Sequence, residues 1–189
     1  GHYGHGDDHA RALSGADLAP PLGRAADLAA AFAEAIADRL AALDPANAET
    51  YRANAARLDA AIAEADARAG ETLAPVANRP FIVFHDAYQY FERHYDLAAA
   101  GSVTLSPDRQ PGARRVLEIR ERIAETDATC LFREPQFAPG IAETAVEGTS
   151  ARIATLDPLG LDLPPGAAGY PALLDALASS IRECLAPAG

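Results

Sequence analysis

Residues 81–92 read Phe-Ile-Val-Phe-His-Asp-Ala-Tyr-Gln-Tyr-Phe-Glu, and this stretch decides the predicted fold. Its first four residues are apolar without alternation, which is typical of a parallel strand buried on both faces. The run stops at His85, and Asp86 followed by Gln89 three residues later matches a helix N-cap with its reciprocal partner. The sequence therefore places His85 at the carboxyl end of a buried strand, where open α/β sheets bind ligands.

The rest of the chain after Pro75 alternates between strand and helix patterns. Further strands are predicted at residues 99–104, 129–132 and 151–156, and the helices run to about 94 and over 111–126, 139–146 and 170–185. Such alternation implies right-handed crossovers between parallel strands. We therefore predict an α/β fold, with a parallel four-stranded, Rossmann-like sheet flanked by helices.

Two helices are predicted before the first strand. Residues 24–43 form one apolar stripe at helical spacing, through Leu28, Phe32, Ile36, Leu40 and Leu43. Asp44 and Pro45 predict the N-cap and first position of a second helix, which runs to about residues 70–73 and spans roughly 37 Å. The predicted organisation is a His-rich flexible lead (1–23), a helical segment with a long linker helix (24–74) and an α/β lobe (75–189).

Composition excludes several classes of function. The net charge of −11, from 16 basic and 27 acidic residues, argues against nucleic-acid binding. No apolar run has the length of a transmembrane helix. Met is absent, so we expect a processed or excised chain whose missing signal peptide says nothing about compartment. The GxSxG, GxGxxG, P-loop and HExxH motifs are absent too, and the chain is predicted not to be an enzyme.

Three polar residues follow three predicted strands: His85, Glu134 and Asp157. In a parallel sheet these ends share one edge, where an imidazole and one or two carboxylates form part of a shell for Zn²⁺ or Mn²⁺. Each residue also has a purely structural interpretation. His85 could be a hydrogen-bonded core histidine, Glu134 could pair with an arginine, and Asp157 could cap a turn.

Two further sets of residues leave alternatives open. His2, His5 and His9 lie among glycines and aspartates, in either a disordered tail or a tract that collects metal ions. Cys130 and Cys184 lie far apart in sequence and form no CxxC motif. They are free thiols, a disulfide or half of a metal site.

Several motifs lie along roughly residues 40–186. In chain order they are Asp44-Pro45-Ala46-Asn47, Tyr51-Arg52-Ala53-Asn54-Ala55, Phe84-His85-Asp86-Ala87-Tyr88-Gln89-Tyr90-Phe91, Ser106-Pro107 through Pro111-Gly112-Ala113, Phe132-Arg133-Glu134-Pro135-Gln136-Phe137, Glu147-Gly148-Thr149 and Leu156-Asp157-Pro158-Leu159-Gly160. In this order they resemble one family, the zinc-specific periplasmic binding proteins of ABC importers.

The resemblance implies a periplasmic receptor of two α/β lobes with zinc in the cleft, docking on an inner-membrane ABC permease. This chain would be the linker helix and the C-terminal lobe. His85 matches the family's histidine ligand from that lobe, and Asp157 matches an aspartate near the metal. Cys130 and Cys184 match a pair that forms a disulfide in some members. We expect zinc rather than manganese, with His2, His5, His9 and Glu134 as auxiliary ligands.

The chain also departs from the family pattern. It lacks the N-terminal lobe and the Asp-Pro-His-x-Trp segment that supplies another ligand. We therefore consider three functions: a zinc receptor of an ABC uptake system, a degenerate lobe acting as a structural or interaction module, and a metal-dependent hydrolase. The hydrolase is the weakest because no nucleophile or second ligand cluster is present. An uncovered apolar helix face would favour a homodimer.

Overall fold

The computed structural model describes residues 25–104, 112–136 and 139–187. Two helices come first, followed by alternating strands and helices. The elements are α1 (Ala25–Leu43), α2 (Ala48–Leu73), β1 (Phe81–His85), α3 (Gln89–His94), β2 (Ala99–Thr104), α4 (Ala113–Thr126), β3 (Cys130–Arg133), α5 (Pro139–Val146), β4 (Arg152–Thr155) and α6 (Gly169–Leu185). Among the described helices, none is long and apolar enough to cross a membrane.

The four strands form one parallel sheet in the order β2-β1-β3-β4. Val83 of β1 pairs with Ser102 of β2 on one side and with Phe132 of β3 on the other. The chain leaves β1 toward β2 and later returns to the opposite side of β1, so the strand order reverses between β1 and β3. The predicted α/β fold is confirmed, and the reversal marks the edge at which such sheets bind ligands.

Strand β1 is buried on both faces, which explains its uninterrupted apolar run. Phe81 and Val83 belong to a core that includes Leu73 of α2 and Ile181 of α6. Their neighbours along the strand, Ile82 and Phe84, belong to a second core that includes residues of α4 and α5. The sheet is thus covered by α2, α3 and α6 on one face and by α4 and α5 on the other.

The predicted start of the helix after β1 was wrong. Helix α3 begins at Gln89, Tyr88 occupies the cap position without a side-chain cap bond, and Asp86 lies outside the helix. The backbone first turns tightly, with the Ala87 N–H donating to the His85 carbonyl at 2.9 Å. The Gln89 Nε2 donates to Asp86 Oδ2 at 2.8 Å, so the two side chains do pair, but within the turn.

Asp44 takes the predicted N-cap position, with Pro45 at the start of the turn that leads into α2, but its side chain makes no cap bond. Pro45–Asn47 form a 3₁₀ turn before α2, and the Asp44 carboxylate caps no backbone N–H there. Its Oδ2 accepts hydrogen bonds from the Asn47 side chain at 2.7 Å and from the Tyr51 hydroxyl at 2.8 Å. The side chain therefore fixes the connection between α1 and α2 through two other side chains.

Helix α1 buries small residues and exposes large ones. Ala26, Ala37 and Ala41 are buried, whereas Phe32 and Ile36 of the predicted apolar stripe are each 60% exposed. The Ser106-Pro107 motif and the His-rich lead of residues 1–23 lie outside the described residues. Helix α4 begins at Ala113 with Gly112 as its N-cap, two residues after the predicted start at residue 111, and its buried residues are Val116, Ile119 and Ile123.

Candidate metal centre

His85 is the last residue of β1, beside the point where the strand order reverses. The four residues before it are buried on both faces of the sheet, whereas the imidazole is 21% exposed. A tight turn follows it before α3 begins at Gln89. The strand thus holds the backbone of His85 rigidly while part of the ring stays in contact with solvent.

Glu134 is the first residue after β3, on the other side of the reversal point. It is only 2% exposed, yet its carboxylate has polar neighbours on both oxygens. Oε1 lies 3.5 Å from His85 Nδ1 and accepts a hydrogen bond from the Tyr88 hydroxyl at 3.3 Å. Oε2 accepts a hydrogen bond from Gln136 Nε2 at 2.6 Å. The carboxylate therefore connects the ends of β1 and β3.

Asp157 lies beyond the end of β4, after the buried Leu156. Its Oδ1 accepts the Leu159 N–H at 3.0 Å, and its Oδ2 accepts the Leu161 N–H at 2.6 Å. The carboxylate thus closes the turn that follows β4, which is the structural interpretation of this residue. A metal ion at Asp157 would have to share these oxygens with the turn or replace its hydrogen bonds.

The charges of this region act on one another at close range. Burial raises the pKa of Glu134, and the negative charge of Asp157 raises it further, while His85 and the Tyr88 hydroxyl favour the ionised carboxylate and lower it. Burial and then the charge of Glu134 raise the pKa of Tyr88, so the hydroxyl keeps its proton and remains a donor. The site is electronegative around one imidazole, which suits a cation.

The structure brings only part of the predicted set together. His85 and Glu134 are in contact, and Asp157 acts on Glu134 through its charge. His2, His5 and His9 lie outside the described residues. Within the described ranges, no group of three or more His, Cys, Asp or Glu side chains is arranged to hold a metal ion.

Two contributors to the site were missed at the level of sequence, Tyr88 and Gln136. Each is close in sequence to a residue that was identified, three positions after His85 and two after Glu134. The sequence signal that could have identified them is a hydroxyl or amide side chain near a buried carboxylate, because such a carboxylate needs hydrogen-bond donors. Spacing alone could not show that both side chains turn toward Glu134.

The two cysteines form a disulfide. The Cys130 and Cys184 sulfurs are 2.05 Å apart and their Cα atoms 6.2 Å apart. The bond joins the first residue of β3 to the last turn of α6, inside the core shared by α2 and α6. The pairing implied by the family resemblance is confirmed, and neither cysteine is available as a metal ligand.

Comparison with known proteins gives one consistent family. The family model described as zinc-uptake complex component A, periplasmic (ZnuA), matches residues 25–184. The high-affinity zinc uptake system protein ZnuA of Brucella abortus (strain 2308) is 47% identical over 154 residues, covering 79% of this chain and 45% of that protein. The chain thus spans about half the length of this curated relative.

Solved structures agree with this match. A crystal structure of ZnuA aligns with a TM-score of 0.68 and 30% identity over 80% of this chain and 56% of the other. A zinc(II)-bound variant of AdcAII from Streptococcus pneumoniae aligns with a TM-score of 0.71 and 26% identity, over 88% of this chain and 60% of that one. The fold defines the class, an α/β chain with one parallel four-stranded sheet flanked by helices. The chain belongs to the zinc-uptake complex component A (ZnuA) family.

Proposed function

We propose that this chain is the C-terminal lobe, with its linker helix, of a periplasmic zinc receptor that serves an ABC permease in the inner membrane. The observation that carries the proposal is His85, a partly exposed imidazole at the reversal point of a parallel sheet in a chain of this family. Neutral imidazole is a favoured zinc ligand, and this edge is where such sheets bind their ligands. The proposed role is to bind and release a metal ion, without catalysis.

The ligand set is proposed to be shared between this lobe and other polypeptide. His85 supplies one ligand, and Asp157 a second if its turn opens. Zinc prefers four ligands in a closed site, more than the described residues bring together. The remaining ligands would come from the histidines at positions 2, 5 and 9 or from the receptor's other lobe. An imidazole-containing shell of this kind favours zinc over manganese.

The alternative is a structural or interaction module that has kept the fold and the disulfide. One observation favours it: the absence, within the described residues, of a cluster of three metal-binding side chains. In that case His85 would serve mainly as the partner of Glu134. The two functions differ in whether zinc binding depends on His85.

The deciding experiment is a zinc titration against a competing chromophoric chelator. We expect His85→Ala to weaken zinc binding at least tenfold, because it removes the imidazole ligand. His94→Gln is the matched control, since His94 Nε2 is bound to Asp66 Oδ1 of α2 at 2.5 Å. Zinc affinity unchanged by His85→Ala, or lost only on deletion of residues 1–23, would contradict the proposal and support the structural module. A parallel titration with manganese should show weaker binding.

A further inference from the structure

A buried carboxylate directly behind a candidate ligand requires a physical reason. Glu134 is the one charged side chain among the buried residues of the described core, and burial of a carboxylate is unfavourable unless donors surround it. Two donors reach its oxygens, the Tyr88 hydroxyl and Gln136 Nε2, and His85 Nδ1 lies 3.5 Å from Oε1. The hydrogen bonds from Tyr88 and Gln136 would be enough for a carboxylate with a purely structural role, but Glu134 Oε1 also faces the His85 imidazole.

The geometry makes Glu134 a poor ligand in its own right. Both of its oxygens already accept from side chains, and almost none of its surface is exposed. An ionised carboxylate only accepts hydrogen bonds. A neutral imidazole can therefore donate to Oε1 from this side only if its proton is on Nδ1. That tautomer carries its lone pair on Nε2, the nitrogen remote from Glu134.

Resting on the proposed zinc function, we propose that Glu134 is a positioning residue that sets the tautomer and ring orientation of His85. It keeps the proton on Nδ1 and directs Nε2 toward the metal ion, while Tyr88 and Gln136 hold the carboxylate in place. A carboxylate on the second nitrogen also makes the first a stronger electron donor. In this proposal the residue at the end of β1 is the ligand, and the residue after β3 holds that ligand in position.

The first measurement is made on the metal-free protein. Long-range ¹H–¹⁵N correlation spectra at pH 8 report the tautomer of each neutral histidine, and His85→Ala assigns the His85 signals. We expect His85 in the Nδ1–H form, whereas a free imidazole prefers Nε2–H. An Nε2–H tautomer in the unmodified protein would overturn the proposal without any variant of Glu134. The spectrum does not depend on zinc, so its outcome is separable from that of the titration.

Substitutions at Glu134 then test whether this residue positions His85 or binds the metal ion itself. In a Tyr88→Phe background, which leaves no buried hydroxyl without a partner, Glu134→Met removes the acceptor. We expect the Nε2–H form to appear and zinc affinity to fall roughly 10- to 100-fold relative to Tyr88→Phe alone. Glu134→Gln in the unmodified background keeps an acceptor oxygen. It should retain the Nδ1–H form and most of the affinity.

Three results would overturn the assignment. Glu134→Gln that loses zinc as completely as Glu134→Met would make Glu134 a direct ligand, because an amide is a poor zinc ligand. Glu134→Met that keeps the Nδ1–H tautomer would show that another group sets it. Unchanged zinc affinity in Glu134→Met would show that the tautomer does not matter for binding. Glu147→Gln, at a side chain 78% exposed on the surface, is the matched control for a lost carboxylate.

Discussion

Glu92 in α3 is a carboxyl group in an unfavourable place. Its Oε1 is buried with no hydrogen-bond partner in the described part of the chain. Burial, and then the negative charge of Asp86, raise its pKa to about 6, an effect that the charge of Arg93 partly opposes. Above pH 6 the folded protein therefore holds a desolvated negative charge that the unfolded chain hydrates freely.

We expect Glu92→Gln to stabilise the protein at pH 7.5 by about 1–2 kcal/mol. A raised carboxyl pKa means that the folded state binds its proton more tightly, so this group's contribution to stability falls as pH rises from about 4.5 to 6. The gain should disappear at pH 4, where the carboxyl is protonated in both states. Urea midpoints of both proteins at the two pH values measure this. A gain of equal size at pH 4 would contradict the assignment, and Glu143→Gln on the exposed face of α5 should show none.

At the scale of residues, sequence reasoning located the candidate site but not its internal contacts. His85 could be placed because the end of an apolar run fixes the end of a strand. The contact between His85 and Glu134 depends on the order of β1 and β3 in the sheet, which strand patterns do not specify. The sequence is compatible with Asp157 as either a metal ligand or a turn cap, and the hydrogen bonds of its turn account for its position in the structure.

The disulfide acts at the scale of elements, because it ties the first residue of β3 to the last turn of α6. Its two cysteines are 54 residues apart, and closing a loop of this length is worth about 4 kcal/mol in the chain-entropy model. We expect Cys130→Ala with Cys184→Ala to lower the free energy of unfolding by about 2–4 kcal/mol. Reduction should lower the stability of the unmodified protein similarly and leave the double variant unchanged. Equal urea midpoints for oxidised and reduced protein would refute this role.

The type of a secondary-structure element could be predicted where one local signal dominates. The residue at which the element begins could not. Strands β1 and β3 are short apolar runs buried on both faces, so their pattern is unambiguous. The start of α3 depended on competition between an N-cap at Asp86 and the tight turn at His85 and Ala87, which tertiary structure decided. Helix α1 shows the converse: its apolar periodicity predicted a helix correctly, but not which side is buried.

At the scale of the whole molecule, the apolar stripe of α1 is exposed to solvent instead of being packed in the core. Phe32 and Ile36 are 60% exposed and Leu43 is 67% exposed, while alanines on the other side of the helix pack against α2. Several large apolar side chains in one row form a patch that soluble monomers rarely expose, and such patches mark interaction surfaces. The net charge of −11 opposes association over long distances, but it is screened beyond about 10 Å at 0.1 M salt.

We therefore expect the 189-residue chain to self-associate through the stripe, with a sedimentation coefficient that rises with protein concentration at 0.15 M salt. Phe32→Ser with Ile36→Ser should remove the concentration dependence, because serine removes most of the apolar area from the patch without placing a charge beside α2. The matched control is Ala31→Ser with Ala42→Ser, two exposed positions of α1 outside the stripe. If association persists in the stripe variant or is lost in the control, another surface joins the copies. A monomer at every concentration would mean that the hydrophobic gain at this face does not offset the entropy lost on association.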